Sequence, residues 1–323
     1  MVDEINKTPK KEIHDFGLSS NYSSRTQRIL NQDGTFNLEK RGLSFRETFN
    51  FYHYLITASV IKFVLIVFSA YTVANISFGL VYYFIGVENL GITEAHTNFE
   101  KFLEAFFFSA QTLTTVGYGR ISPINIPANI AASLESLIGL MAFALATGLI
   151  YGRFSRPVAR IIFSNLAIIA PFQGRNAFQF RTSNKQKSNM IDAEVKVILS
   201  ILEDVNGAEM RKFYPLNLEY NKINFFTSVW TVNHPINEDS PLYGLTKEDL
   251  QNGEAEFMIT LYAFDDTFAQ SVHSRYSYRY NEIIWGAKFK PIHIIDNKGV
   301  ITIPLDTISA FEKTELPKQE KYK

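Results

Sequence analysis

The sequence predicts a membrane α-helical subunit followed by an all-β domain, on three observations. Two long apolar runs, nearly free of charge, stand either side of a connecting loop. Within that loop a shorter apolar segment ends in Thr115-Val116-Gly117-Tyr118-Gly119. After Pro157 the pattern changes to short alternating segments punctuated by Gly, Pro and Asn.

The first run, Phe63 to Val87, has no charged residue. At about 1.5 Å rise per residue it can cross a hydrocarbon core of roughly 30 Å. The second, Ile126 to Tyr151, is interrupted only by Glu135 and ends at Arg153, Arg156 and Arg160. Both lack the polar stripe of a soluble surface helix. Lys40, Arg41 and Arg46 precede the first run, whereas the loop opens with Glu88 and Glu94. This excess of basic residues outside the loop predicts both termini in the cytoplasm. Phe51 to Ile56 is aromatic and apolar but too short to cross, which fits a helix lying along the inner leaflet; a ragged start to the first span is the alternative. Phe99 to Leu113 follows Thr97 with Glu100 three residues on, the pattern of a capped helix start. Irregular backbone after so short a membrane helix is tolerated only where it is buried in protein or lines water, so the loop is expected to dip into a pore.

The expected division is a flexible N-terminal segment 1–45, a pore domain 46–157, a β-sandwich 158–311 and a charged tail 312–323. Within the pore domain the interfacial helix spans about 48–60, the first span 61–87, the pore helix 98–113, the filter 115–119 and the second span 126–153. Ala193–Leu199 and Phe257–Leu261 are typical of the expected strands.

Composition excludes several function classes. Lys plus Arg and Asp plus Glu each number 32, so nothing points to a nucleic-acid partner. With no Cys, disulfides, thiolate metal sites and cysteine nucleophiles are ruled out. No nucleophile elbow, metal-ligand cluster or Gly-rich phosphate loop is present, so neither enzyme activity nor a cofactor is expected. Many of the 28 Phe and 16 Tyr lie before residue 110, as suits rings at a lipid interface.

The pentapeptide carries the chemistry. A pore that passes potassium and rejects sodium must replace the ion's hydration shell with oxygens, and a column of backbone carbonyls does so without fixed charge. Inward-facing carbonyls require left-handed conformations at intervals, which Gly117 and Gly119 supply at low cost. Thr115, Val116, Gly117 and Tyr118 would contribute carbonyls, with the Thr115 hydroxyl at the inner end and the Val116 and Tyr118 side chains packed outward. One loop gives one oxygen per layer, so a closed homotetramer is expected. The pore helix would aim its negative end at the cavity. A nonselective cation pore of the same design, and a membrane-anchored sensory or binding protein, are the rival readings.

Beyond the filter, the chain carries Tyr52-His53, Arg153-Phe154-Ser155-Arg156-Pro157, Gly174-Arg175-Asn176 and Trp230-Thr231-Val232 with His234-Pro235-Ile236. Asp239-Ser240-Pro241-Leu242 and Glu282-Ile283-Ile284-Trp285-Gly286 follow. In these it resembles the inward-rectifier potassium channels, their bacterial branch in particular, from about Asp33 to Ile308. The resemblance implies an immunoglobulin-like cytoplasmic sandwich whose four copies extend the conduction path. It also implies a multi-pass protein of the cell (inner) membrane with K+ as permeant ion.

By the same resemblance, Asp192 and Glu282 fall where the family lines its cytoplasmic vestibule with acids, solvated strand ends being the alternative. Ser136, Phe143, Thr147 and Tyr151 lie near one face of the second span, which the family turns to the pore. Tyr151 is the expected hydrophobic gate, with Gly139 and Gly148 as flexing points. Arg153, Arg156 and Arg160, with Arg46, would meet anionic phospholipid at headgroup height. The family's rectifying members carry an acidic or amide residue where this chain has Phe143, so Mg2+ and polyamines are expected to block only weakly. Gln111 replaces the usual Glu behind the filter, Arg120 replaces the usual acid after it, and Asn50 replaces an Asp at the interfacial helix. Glu135, also acidic in the bacterial branch, lies one position off the pore stripe. With Gln111 it is expected to support the filter from behind.

Overall fold

The computed structural model describes residues 28–39, 42, 50–92, 95–155, 160–186, 188–295, 299 and 301–317. It divides into two units, residues 41–156 and residues 1–40 together with 157–323.

Among its described residues the helical unit has four α-helices. α1 (Phe51–Thr57) begins where the Asn50 side chain accepts the His53 N–H. It is separated by Ala58 and Ser59 from α2 (Val60–Ile85), so it is an element of its own and not the ragged start of the span. Gly86, at φ 100°, ends α2. α3 (Asn98–Leu113) has the expected box: Thr97 accepts the Glu100 N–H, and the Glu100 carboxylate accepts the Thr97 N–H. α4 (Ile126–Phe154) is capped by Asn125, with Pro127 in its first turn. At 26 and 29 residues, α2 and α4 are each long enough to cross a bilayer.

Small residues let these helices approach. A Cβ on Gly79 of α2 would lie 3.2 Å from the Phe106 Cα of α3. A Cβ on Gly139 of α4 would lie 2.1 Å from the Leu113 carbonyl oxygen at the end of α3. Tyr82 packs edge-on against Phe108 at 4.9 Å. Around this contact Leu90, Ala105, Ile121, Ala128 and Ala131 are buried. Most other apolar side chains of α2 and α4 are exposed on the single chain, as suits helices whose remaining faces meet lipid or another subunit.

The second unit is a β-sandwich. β1 (Ile161–Phe163), β2 (Ala167–Phe172), β3 (Arg175–Asn184), β7 (Trp230–Ile236) and β10 (Ile283–Trp285) form one five-stranded sheet in which β10 runs parallel to β2. β4 (Met190–Val205), β5 (Ala208–Pro215), β6 (Lys222–Phe225), β8 (Glu256–Asp265) and β9 (Gln270–Arg279) form the other. The two strands read from alternation are partners in β4 and β8, with Val195 opposite Leu261, Val197 opposite Ile259 and Leu199 opposite Phe257. All six of those side chains are buried, which is why the alternation was visible. The sheets meet where Phe178 of β3 stacks on Phe257 of β8 at 4.3 Å. Short strands β11 (Ala287–Phe289) and β14 (Phe311–Lys313) pair beside the first sheet, and β12 (Ile294–Ile295) and β13 (Ile301–Thr302) form a separate two-stranded sheet. A short helix α5 (Lys247–Asn252) completes the unit.

Two expected boundaries differ from the structure. Part of the segment expected to be a flexible leader is pinned to the second sheet. Glu256, only 2% exposed, accepts the N–H groups of Ile29 and Leu30 at 2.8 and 2.9 Å. Ser277 donates to the Leu30 carbonyl, and Arg28 pairs with Glu282. Ile29 and Leu30 bury beside Phe213 and Met258, so two apolar residues in a polar segment supply the attachment. At the other end, the expected charged tail opens with β14, whose pairing continues in the Thr314 N–H bond to Gly286 O.

His234, 1% exposed on β7, lies 2.6 Å from Asn217 O through Nδ1 and 2.7 Å from Ser240 Oγ through Nε2. The neutral ring is satisfied by donating at Nδ1 and accepting at Nε2. Burial holds its pKa down to about 4 from an ordinary 6.5. The unfolded chain therefore takes up the proton first as pH falls. The contribution of this one group is fully present above about pH 6.5 and is lost between 6.5 and 4, by up to about 3 kcal/mol. Thermal melts across that range should show the decline in the wild type and a shallower one in His234→Gln; equal slopes would refute the assignment.

Candidate ion-conduction site

The last turn of α3 leads directly into the pentapeptide, and main-chain bonds fix that turn. The Gln111 carbonyl accepts the N–H of Val116 at 2.9 Å and of Gly117 at 3.4 Å, and Thr112 O accepts from Thr115 N. The segment is thus hung from the helix by the backbone of Gln111. Thr115, Gly117 and Gly119 have φ of 60°, 51° and 82°, whereas Val116 and Tyr118 between them are not in the positive-φ region. Left-handed conformation at every second residue turns successive carbonyls towards a common side, where an ordinary strand would alternate them. The glycines were legible from sequence; the left-handed Thr115 was not, because a β-branched residue rarely adopts it. Within the single chain nothing lies within 4 Å of a Cβ on Gly117 or Gly119, and it is the positive φ at these positions that favours glycine. On the single chain Val116 and Tyr118 are exposed.

Behind this segment a buried polar cluster ties three helices together. The Tyr82 hydroxyl of α2 donates to Glu135 Oε2 of α4 at 2.6 Å, and Ser109 Oγ of α3 lies 2.5 Å from Glu135 Oε1. Ser109 also lies 3.1 Å from Asn75 Oδ1, and the Asn75 amide donates to Tyr71 O. Asn75, Ser109 and Glu135 are fully buried. Sequence reasoning found Glu135 but missed its partners; the signal was a buried-type run that carries an amide at Asn75. A carboxyl group at membrane depth needs such donors, since each unsatisfied polar group there costs several kcal/mol.

Along α4, Phe143, Thr147 and Tyr151 are exposed and Ser136 is half-buried, so the stripe is not covered by the chain's own helices. The Thr147 hydroxyl is spent on Phe143 O. The two expected flexing points differ. Gly139 is required by the close approach of Leu113, whereas nothing lies within 4 Å of a Cβ on Gly148.

The basic residues are also unlike one another. Arg153 forks onto the end of α1, donating to Leu55 O at 2.7 Å and Ala58 O at 2.8 Å, with its guanidinium 4.8 Å from the Phe63 ring centroid. Arg160 is exposed in the β unit, and Arg46 and Arg156 lie outside the described residues. Asp192 sits at φ 52° in the bulge of β4 and pairs with Lys222 at 2.8 Å. Glu282 is held by Arg28, the Gln32 amide and the Arg279 N–H. Arg120, after the pentapeptide, pairs with Glu104 of α3 at 2.5 Å.

Residues 161–323 match the family described as the inward rectifier potassium channel C-terminal domain, and residues 70–156 match that described as ion channel. The inward rectifier potassium channel Kirbac3.1 of Paramagnetospirillum magnetotacticum is 38% identical over 270 residues, 82% of this chain and 89% of the relative. The chain belongs to the inward rectifier potassium channel family. The G protein-activated inward rectifier potassium channel 2 of Mesocricetus auratus is 28% identical over 318 residues, covering 91% of this chain and 73% of the relative. The ATP-sensitive inward rectifier potassium channel 12 of Gallus gallus is 29% identical over 252 residues, covering 72% and 58%. As a member of the inward rectifier family the chain is a potassium channel subunit and a membrane protein, and the two apolar helices with an all-β domain behind them are the family's fold.

Proposed function

We propose that four copies of this chain close around an axis to form a potassium-selective pore, with both termini in the cytoplasm of a cell whose inner membrane the helices cross. The left-handed backbone at residues 115, 117 and 119 is the observation that carries this reading. Each chain supplies one oxygen per layer from Thr115, Val116, Gly117 and Tyr118, and four chains complete the coordination of a dehydrated K+. The exposed Val116 and Tyr118 side chains then find their packing against neighbouring subunits, with Gly119 closing the outer end.

Tyr151 is the gate. Four such rings converging at the inner end of α4 close the path by excluding water. In reconstituted vesicles Tyr151→Ala is expected to raise K+ flux several-fold, and unchanged flux would remove the gate assignment. Phe143 puts no anion into the cavity, so Mg2+ and polyamines find no charged anchor and rectification is weak. Anionic phospholipid acts through Arg46, Arg156 and Arg160. Arg153, with N–H groups committed to α1, contributes mainly its charge. Asp192 and Glu282 shape the potential of the cytoplasmic path as members of ion pairs, not as free carboxylates.

Purified protein in vesicles, assayed for K+, Rb+ and Na+ flux with and without anionic lipid, tests the reading. K+ and Rb+ should pass and Na+ should not, with a flux that depends on the anionic lipid. Equal Na+ and K+ flux would overturn selectivity.

A further inference from the structure

We propose that Glu104 acts as the charge-compensating residue of the outer pore entrance, holding Arg120 and cancelling its field so that potassium is not repelled where it enters. The inference rests on the tetrameric-pore reading above. Arg120 follows Gly119 directly, so in a fourfold pore four guanidinium groups stand around the mouth of the carbonyl column. A guanidinium cannot be deprotonated in a protein, so this charge is permanent. The column itself consists of neutral carbonyls and has no fixed negative charge to oppose it.

Glu104 is well placed to do so. It lies nine residues before the end of α3, about 14 Å along the helix axis from Leu113. That puts it at the level the chain regains after climbing through residues 115–119. Its carboxylate reaches the Arg120 guanidinium at 2.5 Å, and the Glu104 side chain is 30% exposed against 67% for Arg120. Exposed pairs of this kind contribute little to stability, so the consequence of this one lies in the field at the entrance and not in the fold.

The test is Glu104→Gln in the full-length protein, reconstituted and compared with wild type for K+ flux at low and high ionic strength set with an impermeant salt. At about 10 mM, where charges act over about 30 Å, flux is expected to fall on the order of ten-fold; at 1 M, where that range shrinks to about 3 Å, the difference should vanish. Glu104→Gln combined with Arg120→Gln should recover wild-type flux, and Arg120→Gln alone should not reduce it. A deficit that persists at 1 M or in the double variant indicates damage to the pore instead and overturns the proposal, as does wild-type flux in Glu104→Gln at low salt. A wild type that passes no K+ would be seen first and would strike the tetrameric-pore reading itself.

Discussion

Gly139→Ala is expected to abolish potassium flux and to lower the melting temperature of the assembled channel. The new methyl group would lie 2.1 Å from the Leu113 carbonyl oxygen, well inside any tolerated contact. The neighbour is backbone at the end of α3, not a side chain that can swing away. Relief requires α3 and α4 to separate, and α3 carries the Gln111 carbonyl from which Val116 and Gly117 hang. Overpacking of this kind typically costs about 1–3 kcal/mol per site, and every subunit of an assembly would bear it. Gly148→Ala is the control. Nothing lies within 4 Å of its Cβ, and alanine is favoured over glycine in a helix by about 0.5–1 kcal/mol, so it should leave stability unchanged or raised. Wild-type flux and melting in Gly139→Ala would show that the two helices part without consequence.

Glu256→Ala is expected to release the N-terminal attachment and destabilise the β unit by about 1–3 kcal/mol, the usual result of leaving buried hydrogen-bond donors without their acceptor. The carboxylate holds two main-chain N–H groups and lies in the field of Arg211, which is 2% exposed. Burial pushes the Arg211 guanidinium down, and Glu256 is the foremost charge that holds it up, ahead of Glu254. Without it, Arg211 keeps its Ser200 and Glu254 contacts. Hydrogen exchange of the Ile29 and Leu30 amides in the full-length protein is the direct readout. Exchange should accelerate strongly in Glu256→Ala and less in Glu256→Gln, which keeps an acceptor; unchanged protection would rule the carboxylate out as the anchor.

What sequence could show follows from how each signal arises. α3 was legible to the residue because Thr97 and Glu100 are a local device, complete within one turn. β4 and β8 were legible because both faces differ in burial, which writes a period of two into the residues. The attachment of Ile29 and Leu30 was not, because its anchor, Glu256, is more than two hundred residues away and looks like any strand-end acid. The same holds at the pore. Glycines betray their φ, so 117 and 119 could be named, whereas the left-handed Thr115, the Tyr82 and Ser109 partners of Glu135, and the Glu104 partner of Arg120 depend on contacts that only the folded chain creates.

Arg153 has a mechanical consequence. Its fork closes on two carbonyls at the end of α1 while its own backbone belongs to the last turns of α4. Charge-assisted bonds of this kind contribute about 1.5–3 kcal/mol each. The end of α4 cannot turn or tilt without dragging α1 along or breaking both bonds. The two helices therefore share one degree of freedom instead of having two, and a displacement of α1 is also a displacement of the end of the span that carries Tyr151.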